Sequence, residues 1–184
     1  MKKIDIKVPL QYRHLSTWKE FGDILPGGHT ILSKGITGCG CTVFFLTNDK
    51  PVILASPRIS LIKSKLKDKN IKRELFYFDR SDGNKDLSET IAEMDKYLQS
   101  CGPNPFNYES RVPKILSTFD SLFNVLNALR ARNMLDRFTI VVDEWTCIFT
   151  DVRMKGSTVI NFLHTLNSLP NQIVNISATP LNMA

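Results

Sequence analysis

Residues 35–42, GITGCGCT, have the makeup of a phosphate cradle: Gly35 and Gly40 stand five apart and Thr42 follows two further on. Glycines let main-chain N–H groups turn toward an anion, and a following helix points its positive end the same way. Thr37, Gly38 and Cys39 complete the loop, Lys34 stands immediately before it, and the Thr42 hydroxyl is a ligand type that suits Mg2+. Cys41 stands where such loops carry lysine. Further on, IVVDEW places Asp143 and Glu144 after an apolar run, where one carboxylate can hold Mg2+ and its neighbour can polarise an attacking water. Near the end, NISATP offers the short hydroxyls of Ser177 and Thr179, which can bridge a carboxylate to another polar group. Taken singly, each has a plainer reading: a tight turn, an acidic strand end capping a helix, a polar strand end.

The elements around these residues decide how they are placed. HTILSKG, KPVILAS, ELFYFD, KILSTFD, FTIVVDEW and QIVNISATP read as strands. Between them, CTVFFLTND, SPRISLIKSKLKD, KDLSETIAEMDKYLQS, SLFNVLNALRAR and GSTVINFLHTLNSL read as helices. Leu87, Ile91, Met94 and Leu98 form one apolar helical stripe, and Val159, Phe162, Leu163 and Leu166 another. Alternating strands and helices predict an α/β fold with a mostly parallel sheet and helices on both faces. The expected organisation is a single domain over 1–184, with a lead-in at 1–27 and a core at 28–180. In such sheets ligands gather outside the carboxyl ends of the strands, where all three motifs fall.

Composition narrows the partners. The chain has 184 residues, enough for a full hydrophobic core, and a formal charge of +6 that mildly favours polyanions. MKKIDIKVPL is not a secretory signal, and no apolar run approaches a membrane span, so a cytoplasmic protein with reduced thiols and no membrane partner is expected. Zinc would need four converging ligands; Cys39 and Cys41 offer two and His29 a conceivable third.

The combination of glycine loop, Asp-Glu strand end and Ser-Ala-Thr strand end resembles the first motor domain of superfamily 2 helicases, a RecA-like P-loop fold. VVDEW is similar to that family's Asp-Glu motif and SATP to its Ser-Ala-Thr motif. ASPRISLIKSK and STFDSL resemble segments that touch the nucleic-acid backbone. The likeness covers roughly residues 28–180 and is nearest to viral origin-binding helicases, which implies a phage or mobile element and a host-cytoplasmic or virion-associated location. It implies ATP and Mg2+ as ligands, nucleic acid (DNA first) as partner, and a second RecA-like domain or subunit. By position it implies that Gly35, Gly38 and Gly40 cradle phosphates, Thr42 and Asp143 share Mg2+, and Glu144 orients water. Ser177 and Thr179 would couple this site to nucleic acid, and Arg58, Ser117 and Thr118 would lie near its backbone.

Cys41 is the main departure. The family's loop lysine supplies positive charge where negative charge builds during phosphoryl transfer. A cysteine at a helix start has a lowered pKa, and a thiolate there would repel a triphosphate. Lys34 is the candidate substitute. Weak nucleotide binding with little or no hydrolysis by the isolated chain is the expectation. The alternatives are a nucleic-acid or protein-binding module with an inert nucleotide site, and a reactive Cys39–Cys41 thiol pair. Lys63, Lys65, Lys67 and Lys69 read as a solvated helical face, Trp145 as core and His164 as structural.

Overall fold

The computed structural model describes residues 7–34, 38–80, 86–102, 111–150 and 156–178. Its strands are β1 (His29–Ser33), β2 (Val52–Ser56), β3 (Phe76–Tyr77), β4 (Lys114–Thr118), β5 (Thr139–Asp143) and β6 (Ile173–Ser177). They form one six-stranded sheet in the order β1-β6-β5-β2-β4-β3, and every neighbouring pair is parallel. The helices are α1 (Phe21–Ile24), α2 (Cys41–Thr47), α3 (Ile59–Leu66), α4 (Leu87–Ser100), α5 (Phe119–Arg130), α6 (Cys147–Thr150) and α7 (Gly156–Asn167). The fold is α/β with a parallel sheet, consistent with the RecA-like arrangement.

Chirality explains the layering. The chain first moves across the sheet in one direction, from β1 to β2 to β3, and then returns through β4 and β5 to β6. Right-handed crossovers place helices from opposite directions of travel on opposite faces. The outward helices α2 and α3 accordingly pack on one face, with Phe44, Phe45, Leu46 and Ile62 against Val52, Leu54, Val141 and Val174. The return helices α4, α5 and α7 cover the other, with Met94, Leu122, Leu126 and Phe162 against Ile53, Ile115, Ile140 and Ile173. Strand residues alternate between the two cores, and burial on both sides explains the nearly continuous apolar runs.

Crevices open where neighbouring strands send their connections to opposite faces. One lies over the end of β6, between the loop after β1 and the turn after β5, and the other between the ends of β2 and β4. Each strand end is level with its neighbours: Ser33 pairs with Ser177, Asp143 with Ile176, and Ser56 with Thr118.

Two elements differ from expectation. The strand expected from ELFYFD pairs only at Phe76 and Tyr77, because it is a sheet edge held by β4 alone. The lead-in is also not inert. Trp18 stacks on Tyr12 at a ring distance of 6.0 Å and meets Phe21 tilted at 5.8 Å, and Phe21 meets Phe44 edge-on at 5.0 Å. This aromatic row fastens the short 3-10 turn Leu15–Thr17 beside α2.

At the opposite, amino end of the sheet, Lys114 is fully buried. Its ammonium donates to the Phe45 carbonyl at 2.8 Å, Asn48 Oδ1 at 2.7 Å and the Lys50 carbonyl at 2.7 Å, tying the α2–β2 turn to β4. Burial, reinforced by the Arg73 guanidinium and partly offset by Asp49, brings its pKa down to about 7. As pH rises from 7, the folded lysine sheds its proton while the unfolded chain still holds one, so stability is gained with rising pH and lost as pH falls back toward 7. Lys114→Met should therefore cost about 1–2 kcal/mol near neutrality through its unpaired acceptors. Urea unfolding of both proteins should show this deficit widening by a further ~2 kcal/mol between pH 7 and 9; a deficit independent of pH would contradict the depressed pKa.

Candidate nucleotide site

The first crevice is a hollow of about 720 Å³. Gly38, Gly40 and Thr42 line it from the glycine loop, Asp143 and Glu144 from the end of β5, and Lys34 from the end of β1. Thr42 Oγ1 donates to Asp143 Oδ1 at 3.4 Å. Lys34 Nζ lies 3.5 Å from the same oxygen and 3.3 Å from Glu144 Oε1. The motifs separated in sequence thus meet at the carboxyl rim of the sheet. Gly35, Thr37 and Thr179 fall outside the described residues.

Backbone geometry supports the arrangement. Gly38 and Gly40 have φ of 74° and 81°, left-handed values that glycine adopts without strain. A side chain on Gly40 would also lie 2.9 Å from Ser16 Oγ and 3.2 Å from Ser16 N, because the lead-in turn sits directly against the loop. The Leu15 N–H donates to the Cys39 carbonyl at 2.8 Å, which pins the two together. Glu144 has a φ of 51°, unusual for a residue with a Cβ. Such strained positions cluster at functional sites.

Asp143 is buried and Glu144 half-buried. The Asp143 and Thr42 oxygens are hard donors of the type Mg2+ takes, and both Asp143 oxygens also face a lysine ammonium, so a cation here would have to displace Lys34 or Lys65 from them. Among the described residues, no group of three or more His, Cys, Asp or Glu side chains could hold a metal by itself, and Cys39, Cys41 and His29 form no zinc site. All four cysteines are free thiols.

Cys41 differs from its expected chemistry. It lies in the core beneath the loop with 1% of its surface exposed. Burial, with Cys39 nearby, pushes its thiol far above the ordinary range despite the pull of Lys34. Cys41 is therefore a neutral packing residue, and neither thiolate repulsion of phosphate nor a reactive pair with Cys39 describes it. For Lys34, burial opposes the charge, but Asp143 and Glu144 outweigh burial and hold its pKa above the usual lysine value.

The structure adds a residue that sequence reasoning placed in solvent. Lys63, Lys67 and Lys69 are exposed, but Lys65 Nζ lies 3.0 Å from Asp143 Oδ2 with 15% of its side chain exposed. Its spacing from Leu61 and Ile62, four and three residues, marks it as the edge of the inward face of α3.

Ser177 is tied to both neighbours: its carbonyl accepts from the Lys34 N–H at 2.9 Å, and its hydroxyl meets Thr146 Oγ1 at 3.0 Å. The end of β6 is thereby connected both to the loop entrance and to the turn after Glu144.

The second crevice holds about 480 Å³ and is lined by Arg58, Tyr77, Arg80, Thr118 and Ser121 among others. Arg58 is exposed there. Thr118 caps α5, its hydroxyl accepting from the Ser121 N–H at 3.3 Å. Ser117 is fully buried, pointing to a packed strand end rather than to solvent. Trp145 is core, as expected, whereas His164 is exposed on α7.

No protein-family model matches this chain, and no curated protein matches it. Among the described residues, no helix is long and apolar enough to cross a membrane.

Proposed function

We propose that the chain is a helicase-related nucleotide-binding domain of a nucleic-acid-handling protein, which takes Mg-ATP in the hollow between the glycine loop and Asp143. One observation carries this reading: Thr42 and Asp143 face each other at 3.4 Å beneath left-handed glycines, with Glu144 beside them, at the carboxyl rim of a parallel sheet. A hollow of about 720 Å³ lined by Gly38, Gly40 and Thr42 supports this reading, and Mg2+ held with Thr42 and Asp143 would neutralise the charge of a triphosphate. Glu144 is then the group that orients water. Hydrolysis by the chain alone is weak or absent, because no cation stands in the loop itself at Cys41 and a second RecA-like lobe is needed to close the site. Calorimetric titration with Mg-ATP tests the reading. Saturable binding with Kd below about 1 mM, roughly −4 kcal/mol, supports it; no heat and no melting shift at ligand concentrations about tenfold higher overturns it.

The second crevice extends the proposal to nucleic acid. Arg58 and the Thr118 rim present a cation and polar groups along the same sheet edge. Arg58→Ala should weaken single-stranded DNA binding several-fold and flatten its salt dependence by about one unit of log–log slope. Fluorescence anisotropy at several salt concentrations reads this, and an unchanged slope would remove Arg58 from the interface.

A second reading rests on the pairing of Asp143 with Lys34 and Lys65. Such ion pairs complete the site without a ligand, as in a nucleic-acid or protein-binding module whose nucleotide site is inert.

A further inference from the structure

The loop lacks its lysine, yet the hollow does not lack positive charge. Lys34 enters from the end of β1 and Lys65 from α3, and their ammonium groups approach different oxygens of one carboxylate, Asp143 Oδ1 at 3.5 Å and Oδ2 at 3.0 Å. Neither lysine belongs to the glycine loop, and both line the same hollow as Gly40 and Thr42.

We infer that Lys34 and Lys65 together replace the missing loop lysine as the polyphosphate-binding cations of this site, held in place by Asp143 until a di- or triphosphate arrives. The inference rests on the nucleotide reading above. An ammonium has three N–H donors. Lys34 donates one hydrogen bond to Glu144 Oε1 and pairs with Asp143 by charge, and Lys65 pairs with Asp143 alone, which leaves N–H groups on both for phosphate oxygens. Asp143 acts as the positioning anion: it draws two flexible side chains to one point and lowers the entropy lost when phosphate binds. Lys34 is further fixed by its main-chain bond to the Ser177 carbonyl. Two point charges converging from separate elements favour a ligand with several adjacent negative groups, so selectivity should run from triphosphate through diphosphate to monophosphate.

The test is equilibrium binding of ATP and of inorganic tripolyphosphate to the full chain, each with and without Mg2+, using wild type, Lys34→Met, Lys65→Met and Lys63→Met. Lys63 lies on the same helix, exposed and outside the hollow. Lys34→Met and Lys65→Met should each weaken both ligands about tenfold or more, as expected for a lost charge-assisted hydrogen bond. Lys63→Met should stay within about twofold. Lys34→Arg and Lys65→Arg keep the charge and guard against misfolding; they should recover most of the affinity if the role is electrostatic. If wild type binds ATP while both Met variants, folded by circular dichroism, bind it equally well, the lysine inference is overturned and the nucleotide site stands. If wild type binds neither ligand, the nucleotide reading and this inference fall together.

Discussion

Asp143→Ala should lower the stability of the chain by about 3–5 kcal/mol and abolish Mg2+-dependent nucleotide binding. The carboxylate is 4% exposed and faces Lys65 at 3.0 Å and Lys34 at 3.5 Å, whose side chains are 15% and 9% exposed. Removing it leaves two ammonium groups with little access to water, and stranding buried charge is among the costlier single changes. Thr42 also loses the acceptor for its hydroxyl. Lys34 keeps Glu144, which confines most of the damage to Lys65. Asp143→Asn keeps the shape and should fall between wild type and alanine. Urea unfolding of the three proteins would reveal the ranking; an alanine variant as stable as wild type would mean that the lysines relax into solvent and that the cluster is not a coupled unit.

Gly40→Val should be comparably severe, at about 3–4 kcal/mol. The left-handed backbone at φ 81° costs a residue with a Cβ roughly 1–2 kcal/mol, and a β-branched one more. Steric conflict adds about 1–3 kcal/mol, since the new atoms would meet Ser16 Oγ at 2.9 Å and His14 Cβ at 3.2 Å. To fold, the variant must push the 14–17 turn off the loop, breaking the Leu15–Cys39 hydrogen bond. Gly38→Ala separates the two contributions, because Gly38 has a similar φ of 74° but, among the described residues, no atom within 4 Å of the point where a Cβ would stand. It should lose only the backbone part, about 1–2 kcal/mol. Equal losses at both positions by thermal melting would show that the turn yields without cost.

The sheet, its direction and the three motifs at its rim were legible because each strand is a short apolar run followed by turn chemistry, and parallel strands bring all such ends to one edge. Asp143 and Glu144 illustrate this: the apolar residues before them predict both burial and location. Lys65 was not legible as part of the site, because a lysine-rich helix looks solvated until its packing angle is known. The Leu61 and Ile62 spacing held the only hint. The 14–17 turn escaped notice because three residues of 3-10 helix carry no hydrophobic period, although Tyr12, Trp18 and Phe21 advertised an apolar anchor. A helix-start position by itself predicts a lowered thiol pKa at Cys41; its burial in the core that also holds Trp18, Phe21 and Phe44 reverses that, and burial there is a property of the assembled fold. Ser117 carries two readings in sequence, a backbone contact or a packed strand end, and its full burial agrees with the second, because the side a strand-end serine faces is set by the assembled sheet.

Everything turns on whether the hollow between Gly40 and Asp143 receives a triphosphate, and crystals grown with Mg2+ and a non-hydrolysable ATP analogue would decide it. Phosphate density is expected against the main chain of Gly38 to Thr42, within reach of Lys34 and Lys65, with Asp143 turned toward the metal. Analogue density at another surface, with the Lys34–Asp143–Lys65 cluster unchanged under saturating ligand, would refute the proposal.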